Sequence, residues 1–142
     1  MRERDRVELA QALRELGETE RKLKNGTAAR QHYEEAVAIY RGTGETLRLA
    51  HTVRHLGDVY YAEGRLDLAE PCFTEALDLY RNAAATSPLD LANAIRSLAV
   101  LKSGVGDAGQ ARPPWEEARD LYAAVGVKEG VAESSARLAG TS

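Results

Sequence analysis

Seven residue columns recur along this chain at one near-constant spacing. Leu16, Leu56 and Leu98 stand 40 and then 42 residues apart, and Gly17, Gly57 and Ala99 follow them. Leu13, Val53 and Ile95 fall in the same register, as do Ala29, Ala69 and Ala111. Tyr33, Phe73 and Trp115 form another column, then Ala36, Ala76 and Ala118, then Tyr40, Tyr80 and Tyr122. Within one unit, Val53, Leu56, Gly57 and Tyr60 are spaced i, i+3, i+4 and i+7, which places them on one face of a helix. Ala69, Phe73, Ala76 and Tyr80 do the same after the break at Ala62-Glu63-Gly64-Arg65. Neither helix can bury its stripe alone, so the unit is a helical hairpin and the chain repeats it. The small columns let the neighbouring helix come close, and the aromatic column fills the space beside them.

The pattern L-x-x-L-G-x-x-Y … A-x-x-x-F-x-x-A, carried by Val53, Leu56, Gly57, Tyr60, Ala69, Phe73 and Ala76, resembles the tetratricopeptide repeat. The resemblance covers about residues 3–125. The longer period and the Ala-x-Pro of Ala69-Glu70-Pro71 and Ala111-Arg112-Pro113 are similar to the kinesin-light-chain and bacterial-regulator branch. It implies an all-α fold: a right-handed α-α superhelix of three helical hairpins plus a C-terminal capping helix. One domain is expected, with repeats at about 3–41, 45–82 and 87–124 and the cap at about 128–139. Glu20 and Lys102 stand where Tyr60 does, so the outer units are less regular.

Composition narrows the function classes. The chain has 142 residues, a net charge of −3 and 29% charged residues, which gives no electrostatic support for nucleic-acid binding. No apolar run reaches the roughly 20 residues a spanning helix needs, and the charged start Met1-Arg2-Glu3-Arg4-Asp5-Arg6 is no signal peptide. A cytoplasmic setting without membrane contact is therefore expected. Cys72 is the only cysteine; it suits a reducing compartment and reads as a packing residue beside the aromatic column.

Punctuation predicts the element ends. Asn25-Gly26 is a turn with Thr27 able to cap, and Gly42-Thr43-Gly44 breaks the chain. Asp67 and Glu70 have capping-box spacing, which would leave Pro71 in a first turn. Ser87-Pro88-x-Asp90 and Asp107 read as helix starts, and Pro113-Pro114 predicts a bend or an irregular turn. Lys128 to Ala139 is expected to be a helix capping the last hairpin, or the first helix of a further unit if the chain is a piece of a longer array, with Val131, Ala132, Leu138 and Ala139 as its apolar positions.

A catalytic set is missing. His51 and His55 lie one turn apart with Asp58 three residues on, but the residue after His51 is Thr52, so the zinc-protease pattern fails. With His32 the only other histidine, polar surface is the better reading, and neither metal nor cofactor is expected. Gly42-Thr43-Gly44 lacks the lysine of a phosphate loop.

The resemblance instead implies a non-catalytic protein–protein interaction module, an adaptor or the sensing arm of a larger regulator. Its ligand groove would be lined by the first helix of each hairpin. On the flank facing that groove, Arg14, Arg54 and Arg96 share a column, with His51, Tyr61 and Asn93 beside them. Four arginines (14, 21, 54 and 96) against Glu18 and Asp58 favour an acidic peptide or protein segment. Arg14–Glu18 and Arg54–Asp58 have i,i+4 spacing and would neutralise each other, leaving Arg96 the arginine without a local partner. The family's chaperone-tail set wants Asn where Glu18, Asp58 and Val100 stand, so that specificity is not expected here. The second reading is weak self-association, solenoid ends stacking through the apolar face of the last helix.

Overall fold

The structure is a computed structural model that describes residues 2–140, and within them seven helices: α1 (Glu3–Lys22), α2 (Gly26–Tyr40), α3 (Thr46–Ala62), α4 (Leu66–Asn82), α5 (Pro88–Gly104), α6 (Ala108–Ala124) and α7 (Lys128–Gly140). They fall into two compact units, residues 1–79 and 80–142, each with its own buried centre.

In the first unit the small and aromatic columns meet as hairpin contacts. A Cβ on Gly17 would come within 2.9 Å of Tyr33, so the ring can sit this close to α1 because that position has no side chain. Gly57 does the same against Phe73 of α4, where an added Cβ would stand 2.7 Å from the ring. Ala10, Ala29, Ala36, Tyr33 and Tyr40 are fully buried, with Val7, Leu13, Ile39 and Leu49 closing around Ala10, Ala36 and Tyr40. The α1–α2 turn needs a left-handed residue, supplied by Lys24 at φ 66°. Gly64 supplies it at φ 76° between α3 and α4.

The helix starts differ in detail from the sequence expectation. α2 begins at Gly26 with Asn25 as its cap residue, and Thr27 already lies inside the helix. Asn25 makes no capping bond; its side-chain N–H donates to Glu20 at 2.8 Å. α4 begins at Leu66, one residue early, so Pro71 is its sixth residue and not in its first turn. α1 and its C-cap leave Leu9, Leu16 and Leu23 exposed at 43%, 47% and 63%. Leu56, one repeat on, is buried at 6%.

In the second unit α5 starts as the sequence predicts: Pro88 is its first residue and Ser87 Oγ accepts from Asp90 N at 3.1 Å. Asp107 Oδ1 likewise accepts from Gln110 N at 3.0 Å at the start of α6. α6 runs unbroken through Pro113 and Pro114. Trp115 is fully buried with Ala99, Ala111 and Leu138, and its indole N–H donates to Ser103 Oγ at 2.9 Å. α7 lies against α6 through a stripe of Gly130, Ser134 and Leu138, with Gly130 against the ring of Tyr122. Of the apolar positions expected for α7, Leu138 alone is buried, Val131 is half-buried, and Ala132 and Ala139 face out. A stripe of small residues serves better there because the aromatic knob comes from α6.

Candidate functional site

In the first unit the polar flanks of α1 and α3 come together. Arg14 Nη1 donates to Glu18 at 2.6 Å, the i,i+4 pair the spacing predicts. The expected Arg54–Asp58 pair is absent. Asp58 turns to α1, 3.7 Å from Arg21, and also stands 3.6 Å from His55 Nδ1. Arg54 is left with no hydrogen bond or ion pair among the described residues, and its Nε is buried without an acceptor. The His55 ring stacks on Tyr33, centroids 6.1 Å apart and planes 18° from parallel. Burial, with Glu18 adding to it, pushes the Tyr33 phenol above its usual range. Glu18, Arg21, Lys22, Tyr33 and His55 line an open cleft of about 480 Å³. His51 and Tyr61 are half-buried on α3.

In the second unit Arg96 pairs with a carboxylate from another helix. Its side chain reaches α7, where Nε and Nη2 donate to the two oxygens of Glu133 at 2.5 and 2.8 Å. The Arg96 guanidinium in turn holds the Glu133 carboxyl below its ordinary range. Asn93 Oδ1 accepts the Tyr122 hydroxyl at 2.7 Å. With Leu89, Glu129 and Gly130 these side chains line a cleft of about 420 Å³ in which Arg96 faces two carboxylates, Glu129 and Glu133. The i,i+4 spacing gave Arg96 no partner on its own helix; this one comes from 37 residues away.

A recurrent ion pair went unnoticed in the sequence. Arg41 makes a fork with Glu75 at 2.5 and 2.8 Å, and Arg81 donates to Glu117 at 2.8 Å. The arginines follow the Tyr column and the glutamates stand two residues past the aromatic column, so a register search on charged residues would find both. Cys72 is half-buried beside Gly57, and burial pushes its thiol up to about 11.

A succession of small-to-aromatic helical hairpins with polar flanks on the first helices defines a protein-interaction repeat. The family model for the tetratricopeptide repeat matches residues 8–82 and 48–124, and the chain belongs to that family. Its fold is of the all-α, α-α superhelix class, and the family is generally a non-catalytic protein-interaction fold. No curated protein matches the chain. Among solved structures, BtubC (BKLC) from P. vanneervenii is similar at 23% identity and a TM-score of 0.75, over 83% of this chain and 48% of that one. The N-terminal domain of stress-induced protein-1 from C. elegans is similar at 16% identity and a TM-score of 0.72, over 93% and 96%. The Rap conjugation gene regulator of the plasmid pLS20, in complex with the Phr* peptide, is similar at 18% identity and a TM-score of 0.76, over 91% and 36%. The chain thus spans about half the length of BtubC and about a third of the Rap regulator. Among the described residues no helix is long and apolar enough to cross a membrane.

Proposed function

We propose that this chain is a non-catalytic module that holds an acidic peptide or protein segment on the polar flanks of its first helices, as an adaptor or as the sensing arm of a larger regulator. The observation that carries the reading is Arg54, a half-buried guanidinium with no carboxylate of its own. A charged group in that position gains most from an incoming carboxylate, because part of its desolvation is already paid for. His51 and Tyr61 on the same helix set selectivity, and Arg14 contributes once Glu18 lets it go. In the second unit Asn93 and Arg96 are contact residues of a different kind, since Arg96 arrives neutralised by Glu133. The Rap regulator, of like fold, is in complex with a peptide, which supports this class of ligand.

The test is an arrayed peptide library graded in Asp and Glu content, probed with the unaltered protein and with Arg54→Glu and Arg96→Glu. Acidic peptides are expected to bind best, and Arg54→Glu to lose roughly tenfold or more, with a smaller loss for Arg96→Glu. Equal binding of acidic and neutral peptides, or an Arg54→Glu protein that binds as well as before, refutes the reading.

A further inference from the structure

An apolar stripe runs along α1, apart from the peptide-binding flank. Leu9, Leu16 and Leu23 are exposed at 43%, 47% and 63%, and Ala12 and Thr19, which alternate with them, are exposed too. Together they repeat every seven residues, the spacing of a helix that lies along another helix. The register explains what kind of face this is. One repeat on, Leu49, Thr52, Leu56 and Val59 occupy the same positions of α3; Thr52, Leu56 and Val59 are buried, and Leu49 packs into the Ala10–Ala36–Tyr40 cluster. α1 therefore shows to water a surface of the type that α3 buries. At about 100° per residue it points roughly half a turn away from Arg14 and Glu18, so it is separate from the peptide-binding flank.

We infer that this stripe is the interface of a homodimer, two copies pairing α1 against α1 in antiparallel orientation about a two-fold axis. The stripe suits its own copy in two ways. Large and small residues alternate, so an antiparallel mate seats Leu9 over Thr19 and Leu16 over Ala12 of the second copy, and the reverse by symmetry. Along one edge the exposed charges include Glu8, Glu15 and Lys22, while exposed Asp5 continues the line of the stripe and comes opposite Leu23 of the second copy in this register. The same register brings Glu8 beside Lys22 of the second copy, twice over, and leaves the two Glu15 side chains facing each other across the axis. A parallel pairing instead sets Glu15 against Glu20 at both edges and gains no opposite pair. In the single chain Lys22 has no ion pair among the described residues, and Glu8 is held only by Arg4 at 3.3 Å on an exposed surface.

The experiment is sedimentation equilibrium of the whole chain from about 10 µM to about 1 mM, where interfaces of modest size come together. A concentration-dependent monomer–dimer equilibrium is expected. Leu16→Glu abolishes it while leaving helix content and the thermal midpoint unchanged, since that side chain is half in water already. Glu8→Lys weakens it about fivefold or more, and Glu8→Lys with Lys22→Glu restores it. Glu15→Gln tightens it by removing the repulsion at the axis. A chain that stays monomeric throughout leaves the face to some other helix and overturns the inference. So does a dimer indifferent to Leu16→Glu, or a double exchange that fails to recover the loss. Arg54→Glu leaves the dimer intact, so failure of the peptide reading is distinguishable from failure of this one.

Discussion

Gly57 shows how much of this fold rests on single atoms. Its missing Cβ is the space that Phe73 occupies, and Gly57→Ala forces ring or helix to move. A loss of about 1–3 kcal/mol is expected in urea unfolding. Gly26→Ala is the control: nothing stands within 4 Å of its added Cβ and its φ is ordinary, so stability should hold or rise by about 0.5 kcal/mol. Cys72 gives a chemical readout of the same packing. With its thiol raised to about 11 by burial, roughly one molecule in a thousand is thiolate at pH 8. Disulfide-exchange reagents should therefore label the native chain far more slowly than the urea-unfolded one; equal rates would show that the site is open.

At the level of helices, caps and ion pairs decide where elements end and what joins them. Ser87 and Asp107 each accept a backbone N–H three residues on, while Asn25 spends its side chain on Glu20. Ser87→Ala and Asp107→Ala should each cost about 1 kcal/mol by thermal unfolding, and Asn25→Ala a few tenths. Arg41 holds Glu75, and Arg96 holds Glu133, below the usual carboxylate range. A depressed folded value means that each pair contributes fully above the unfolded carboxylate value, about 4.3, and is lost as pH falls through the lower folded one. Both pairs are wet, so each is worth well under about 1 kcal/mol. The thermal midpoint should fall below pH 4.5, and less steeply in a Glu75→Gln, Glu133→Gln protein. Parallel curves would mean that neither pair matters.

For the molecule as a whole, stability is a sum over hairpins and their neighbours, as in other repeat proteins. Trp115, the only tryptophan, lies in the second unit and reports on that unit alone. Leu138→Ala opens a hole in the cluster around Trp115 and should cost about 2–4 kcal/mol. The loss should appear in tryptophan fluorescence at lower urea than in far-ultraviolet circular dichroism, which averages both units. Coincident transitions would mean that the chain unfolds as a single cooperative body.

Legibility followed the range of the interaction. Helix period, hairpin order, the caps at Ser87 and Asp107 and the burial of Tyr33, Phe73 and Trp115 could all be read from residues close in sequence. They depend on backbone geometry and on apolar side chains leaving water, which a local pattern specifies. The partners of the arginines could not be read this way. Asp58 chose Arg21 over Arg54, and Arg96 found Glu133 on another helix, because a flexible charged side chain pairs with whatever carboxylate tertiary packing brings near. The exposure of Leu16 was equally hidden, since its letters match those of buried Leu56 and only the presence or absence of a covering helix separates them. Sequence alone determined the repeat and its core; tertiary packing decided which charges are spoken for and which leucines still face water, because both depend on neighbours that no local pattern names.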